Sequence, residues 1–246
     1  MKSILYHTGL TSPPLVEIEG IELCYYPVLK VEYERNIAPH DISEILYMDP
    51  IVLMMSKNAV LGIKKWFEYC NLKTDFFDDA SFWTVGDRTH SCLKNILGIS
   101  SFFPDVMTGK GVLQVLQKQN ISKVLLVSGQ DPRQEFVDGL SSAGINFFHF
   151  PVYKIYINEN SEFSVHFKDD LSNYLIITSP SSVDGILKIL SLQDLSELKT
   201  RIISIGPTTS EAILQNNGDV FFESEVQNIN VLYDHLESII IKSPVK

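Results

Sequence analysis

The sequence predicts an α/β protein of two similar domains, each a parallel sheet flanked by helices, and three observations carry that expectation. Short apolar runs of strand type alternate with stretches whose apolar residues recur every three to four positions. A block also recurs. PIVLMMS at 50–56 runs into KNAV and is followed by VGDRT at 85–89, while NYLIITS at 173–179 runs into PSSV and is followed by IGPTT at 205–209. Ser56 thus corresponds to Ser179, Val60 to Val183, Gly86 to Gly206, Thr89 to Thr209, Leu93 to Ile213 and Gly98 to Gly218, at offsets of 120 to 123 residues. Such a repeat predicts two like units with a site between them. Finally, 246 residues suit two domains of about 100–150 residues.

Taken in order, 3–7 and 22–27 read as the first two strands, each a short apolar run. Residues 51–55 form an apolar strand that leads into a helix at 59–70, and 81–85 leads in the same way into 89–97. A helix at 111–119 precedes a strand at 123–127, a helix at 133–143 and a strand at 146–150. The last third repeats the alternation: strands at 174–178, 201–205 and 220–222, with helices at 183–190, 209–215 and 231–240. Segments 26–33 (YPVLKVEY) and 150–157 (FPVYKIYI) both open aromatic-Pro-Val and then alternate apolar with polar residues, as paired extended strands do. If they pair, they form a two-stranded hinge. One domain is then discontinuous, 1–33 plus 151–246, and the other is continuous, 34–150.

Composition narrows the function. A hydrophobic fraction of 45% with 20% charged residues is that of an ordinary globular chain. The net charge of −10 argues against nucleic-acid binding, which depends on Lys and Arg neutralising phosphates. No segment has the length or apolarity of a secretory leader or a membrane helix, so a cytoplasmic location without membrane association is expected. Cys24, Cys70 and Cys92 lack CxxC spacing and read as small buried hydrophobes of a reducing compartment. The six histidines are scattered without ligand spacing, so no metal site is expected. The acidic run at 75–79 (DFFDD) follows a helix rather than a strand end and reads as a solvated loop.

The recurring turns carry the chemistry. Ser179 suits a helix N-cap with Pro180 at the first helical position. Residues 208–211 (TTSE) have the pattern of a capping box. Turns of this kind present backbone N–H groups and the positive end of a helix dipole to carboxylate or phosphate. They could meet an anion despite the acidic chain. Each such turn is equally what ordinary folding demands at the end of a parallel strand.

Together, VYKI at 152–155, ITSPSSV at 177–183 and IGPTTSEAI at 205–213 resemble the uroporphyrinogen-III synthase family in order and approximate spacing. MSKNAV, VGDRT and KVLLVSGQDPRQEF in the first half extend the resemblance to nearly the full length. It implies the family's two flavodoxin-like domains and a cofactor-free lyase. The substrate would be hydroxymethylbilane, a linear tetrapyrrole with several carboxylate arms. The reaction would close it to uroporphyrinogen III with inversion of ring D and loss of water, in tetrapyrrole biosynthesis. Tyr153 matches the family tyrosine, whose phenol, protonated at neutral pH, could donate to the departing hydroxyl. Ser179, Ser181, Thr208 and Thr209 would hold carboxylate arms, with Ser56, Lys57, Asn58, Arg88 and Arg133 facing them from the other domain. A monomer is the family expectation, with transient contact to the enzyme that supplies the bilane.

Two departures stand beside the resemblance. Tyr6-His7-Thr8-Gly9 replaces the family's Thr-Arg-Pro strand end and the helix after it, and Ser128 replaces a basic residue. These departures keep open a second reading, a non-catalytic regulatory relative that binds a tetrapyrrole or another anion.

Overall fold

A computed structural model describes residues 2–35 and 37–241 of the chain. Its first strands are β1 (Ser3–His7), β2 (Ile21–Tyr25) and β3 (Leu29–Tyr33), followed by α1 (Pro39–Leu46), β4 (Ile51–Met54) and α2 (Lys57–Cys70). Next come β5 (Phe82–Thr84), α3 (Asp87–Leu97), α4 (Gly109–Lys118), β6 (Lys123–Gly129), α5 (Gln134–Ser142) and β7 (Asn146–Ile157). The last third holds α6 (Phe163–His166), β8 (Tyr174–Ile177), α7 (Pro180–Leu190), β9 (Arg201–Ser204), α8 (Pro207–Gln215), β10 (Val220–Glu223) and α9 (Ile229–Ile241). α1 and the single-turn α6 were not expected. Residues 75–79 are also more ordered than a solvated loop: Thr74–Phe77 is a 3-10 turn that buries Phe77 and leaves Asp75, Asp78 and Asp79 exposed.

The chain groups into two units, Met1–Lys30 with Tyr156–Lys246, and Val31–Ile155. One five-stranded sheet has the order β10-β9-β8-β1-β2 and the other the order β3-β7-β6-β4-β5. β8 pairs in parallel with β1 and β9 as β4 pairs with β6 and β5. β4 and β8 are therefore equivalent, as are β5 and β9, β6 and β1, and β7 and β2. The segments 26–33 and 150–157 pair as expected. Asn158 N–H donates to Val28 O at 2.9 Å and Glu34 N–H to Val152 O at 3.0 Å, so β3 runs antiparallel to β7.

Central strands covered on both faces must be apolar throughout, and β8 (YLII) and β6 from Val124 to Val127 are buried at every position. Alternate residues face opposite layers. In the Val31–Ile155 unit, Val52, Leu125 and Val127 pack with Val60, Ile63 and Trp66 of α2, while Leu53, Val124 and Leu126 pack with Val112 of α4 and Leu140 of α5. In the other unit, Leu175 and Ile177 pack with Val183 and Ile186 of α7, and Leu5 and Ile176 with Leu232 and Leu236 of α9. Each fully buried aliphatic side chain of this kind stabilises by about 1.5–3 kcal/mol.

The internal correspondence extends to individual contacts. A Cβ at Gly62 of α2 would lie 2.7 Å from Val152 Cβ, and one at Gly185 of α7 would lie 3.3 Å from Val28 Cβ. A helix glycine thus admits a valine in each unit. Val152 and Val28 stand at the same place in the two aromatic-Pro-Val segments, which makes Leu29 the equivalent of Tyr153.

The units differ between the equivalent strand pairs. α5 joins β6 to β7, whereas β1 and β2 are joined without a helix. There His7 is buried, with its ring nitrogens 3.0 Å from Tyr233 Oη and 3.0 Å from Thr11 O. Val16 and Ile18 of this connection pack against the α9 cluster.

Candidate functional site

Parallel strands place their carboxyl ends on one edge of a sheet, and the helices that follow begin there. In the Val31–Ile155 unit this edge carries the start of α2 after β4, of α3 after β5 and of α5 after β6. Ser56 caps α2, its Oγ accepting the N–H of Ala59 at 3.1 Å. Lys57 is exposed and Asn58 half-buried in the first turn. Gly86 is the N-cap of α3, where the Asp87 carboxylate accepts the Arg88 N–H at 2.6 Å and Arg88 is exposed. Arg133, also exposed, is the N-cap residue of α5. Among the described residues, Lys57, Arg88 and Arg133 take part in no ion pair.

Tyr153 joins this edge. It is half-buried on β7, and its Oη lies 3.2 Å from Ser56 Oγ. The register between β6 and β7 shifts between Ser128 and Gly129, which brings Gly129 opposite Tyr153. A Cβ at Gly129 would sit 2.9 Å from the phenol ring, so glycine is what lets the ring lie against the strand. The Gln130 N–H donates to Tyr153 O at 2.8 Å. Behind the bulge, Ser128 Oγ donates to Gly129 O at 3.0 Å, and His149 Nε2 stands 2.9 Å from Ser128 Oγ and 3.0 Å from Gly129 O. The Tyr153 backbone and ring are thus held on one side by the end of β6 and the phenol oxygen on the other by Ser56.

The other unit offers the equivalent edge. Ser179 caps α7, its Oγ accepting the Ser182 N–H at 3.2 Å, with Ser182 Oγ at 2.8 Å, and Pro180 stands at the first helical position. Ser181 is exposed. α8 opens at Pro207 with Gly206 as its N-cap and no side-chain cap. The capping box expected at 208–211 is therefore not formed. Ser204 Oγ donates to Gly206 O at 2.9 Å instead, and the helix has already begun when Thr208 is reached. Thr208 is exposed, whereas Thr209 is buried and its N–H donates to Gly206 O at 3.0 Å.

The three cysteines are free and half-buried, and burial pushes each thiol up, away from thiolate reactivity. For Cys92, Lys57 opposes that effect, which places this cation near α3. Among the described residues, no three His, Cys, Asp or Glu side chains are grouped as metal ligands, and no helix is long and apolar enough to cross a membrane.

The Ser56 to Tyr153 contact, Gly129 and Gln130 were not anticipated. The signal for them was present only indirectly, in the twin aromatic-Pro-Val segments that set Tyr153 against Leu29.

Comparison with known proteins gives one consistent result. The family model described as uroporphyrinogen-III synthase HemD matches residues 14–234. A curated protein of Ruminiclostridium josui, the porphyrin biosynthesis protein HemD, is 31% identical over 209 residues, which cover 80% of this chain and 40% of that protein. The match thus spans less than half the length of that relative. Among solved structures, the uroporphyrinogen-III synthetase of Helicobacter pylori superposes with a TM-score of 0.66 at 17% identity, covering 97% of this chain and 100% of that one. A mutant uroporphyrinogen III synthase of Thermus thermophilus gives a TM-score of 0.61 at 14% identity, covering 98% and 100%. At such identities the two structures establish likeness of fold.

Proposed function

The chain belongs to the uroporphyrinogen-III synthase family, and from that premise we propose that it cyclises hydroxymethylbilane to uroporphyrinogen III, inverting ring D and releasing water, as a lyase of porphyrin biosynthesis. The observation that carries this reading is the half-buried Tyr153 phenol, held by Ser56 at the carboxyl edge of its sheet among helix N-termini.

The chemistry asked of the protein is limited. The pyrrole nitrogen drives departure of the terminal hydroxyl, and Tyr153 would donate a proton to the oxygen as the C–O bond breaks, so that water leaves. General-acid assistance of this type contributes about 10²–10⁴-fold. Holding one bilane conformation for attack at the inverted ring contributes by positioning. The anionic substrate would be bound locally by a protein with a net charge of −10. Lys57, Arg88 and Arg133 would supply cationic partners in one unit, and Ser179, Ser181 and Thr208 hydroxyls in the other. Asn58 would add an amide. Thr209, being buried, would shape the turn that presents Thr208.

The test is an isomer analysis. Freshly generated hydroxymethylbilane is supplied to the purified protein, and the oxidised porphyrins are separated. Type III product in catalytic excess is the expected outcome, and type I alone at the protein-free rate would end this reading.

A further inference from the structure

A serine hydroxyl has one hydrogen and two lone pairs. In Ser56 one lone pair takes the Ala59 N–H, which leaves the hydrogen for a second partner. The equivalent serine in the other unit, Ser179, makes the same cap and directs its remaining capacity at Ser182 Oγ, 2.8 Å away. Ser182 and Ala59 occupy the same position, three residues after the capping serine. Alanine at 59 removes the competing hydroxyl, and Tyr153 Oη takes its place. The equivalent of Tyr153 is the buried, apolar Leu29. Two substitutions between the copies, Ala59 against Ser182 and Tyr153 against Leu29, therefore act together on one hydrogen bond. Helix capping alone requires neither.

We infer that Ser56 is the positioning residue of Tyr153, its hydroxyl donating to the phenol oxygen so that the Tyr153 O–H points away from it. The inference rests on the proposed synthase reading and adds to it the source of the phenol's orientation. Ser56 Oγ accepts an N–H at the positive end of α2, which polarises its own O–H toward Tyr153. When the Tyr153 O–H bond breaks, the proton passes to the departing hydroxyl, the C–O electrons leave with that oxygen, and water is released. The negative charge left on Tyr153 is met by the Ser56 O–H. Ring closure expels one proton from the attacked pyrrole carbon, which restores the phenol, so the balance is bilane to macrocycle plus water.

The experiment uses the full chain with Ser56→Ala, Ser56→Thr and Ala59→Ser, and it has two readouts. In kinetics, Ser56→Ala should lower kcat about tenfold, the loss expected for a hydrogen bond to a charged group, with KM changed by less than about twofold. Ser56→Thr should restore kcat. Ala59→Ser should lower it while Ser56 remains, because a hydroxyl there recreates the Ser179 to Ser182 pairing. Independently of turnover, the Cζ resonance of Tyr153, assigned by its loss in Tyr153→Phe, should move in Ser56→Ala and Ala59→Ser and hold in Ser56→Thr. A resonance unmoved in the first two variants would overturn the inference. So would a rise in KM at constant kcat, which would make Ser56 a substrate contact. Full turnover by Tyr153→Phe would instead defeat the synthase mechanism while the resonance still reported on the pair.

Discussion

Ser56 and Ser179 cap α2 and α7 from nearly identical backbone, at φ of −161° and −162°, yet one hydroxyl engages a tyrosine and the other a serine. Around them the two units retain the same pairing of four strands, the same glycine-to-valine packing under the helix and the same glycine opening the next helix. What is shared is what the fold requires. What differs is the content of the sheet edge: a phenol and exposed cations in the Val31–Ile155 unit, hydroxyls and helices with proline at the first helical position in the other. The difference teaches that an internal repeat filters function. Positions that both copies keep are explained by packing and capping, and positions where they part are candidates for chemistry.

The largest expected effect tests the phenol that Leu29 replaces. Tyr153→Phe should reduce type III formation by about a hundredfold or more while leaving circular dichroism unchanged; near-normal turnover would remove the functional side of the comparison.

Next comes acid stability, where the units should separate. Burial holds the His7 imidazole down at about 4, below the ordinary value of about 6.5. Between those pH values the unfolded chain binds more protons than the folded one, so stability rises with pH. It is complete above about pH 6.5, and up to about 3 kcal/mol is lost by pH 4. Tyr233, Tyr25 and the Thr11 carbonyl surround the ring. Both tryptophans of the chain, Trp66 and Trp83, lie in the Val31–Ile155 unit. Tryptophan fluorescence should therefore report little of this loss, circular dichroism should show it, and His7→Gln should flatten it. Identical acid profiles from both probes would break the distinction.

Packing supplies a smaller contrast. Gly62→Ala would drive a methyl to 2.8 Å from the Val152 carbonyl, against 3.1 Å from the Val28 carbonyl for Gly185→Ala. The first should cost about 2 kcal/mol by overpacking. The second should be close to neutral, since alanine's helix preference of about 1 kcal/mol offsets a milder crowding. Denaturant midpoints followed by fluorescence and circular dichroism would rank them, and equal losses would contradict the tighter approach in the first unit.

The smallest effect is the cap itself. Ser179→Ala and Ser56→Ala should each cost about 1 kcal/mol. Matching stability losses, with the Tyr153 resonance moved only by the second, would separate capping from positioning. A much larger loss for Ser56→Ala would assign the tyrosine contact a structural role.

The strands of both sheets were legible because burial on two faces forces continuous apolar runs, as at 51–55 and 174–178. α1 was not: it has two turns and buries only Ile42 fully, too little periodicity to stand out. The strand expected at 146–150 and the extended segment expected at 150–157 form one continuous strand, β7 (Asn146–Ile157). Pro151 falls where β6 is about to bulge, and proline is tolerated at such an irregularity. The grouping of the chain falls after Lys30 and Ile155, so Tyr153 lies with β6 and Ser56. Among site residues, the turn serines could be read from their place after apolar strands. The Ser56 to Tyr153 bond could not, because it joins residues 97 positions apart and no local pattern encodes it. The capping box failed for a local reason: Gly206 and Pro207 start the helix before Thr208 can cap it.

The pairing of β1 with β8 imposes a timetable on the nascent chain. Ser3–His7 leaves the ribosome well before its partner Tyr174–Ile177, which follows only after the whole of Val31–Ile155 has emerged. At elongation rates of about 5–20 residues per second that is a wait on the order of ten to thirty seconds. The Tyr153 unit can complete its sheet within that interval, while the first two strands stay exposed to chaperones. Protease resistance of stalled chains should therefore appear first around Trp66 and Trp83 and only later at Ser3–His7 and Ile21–Tyr25.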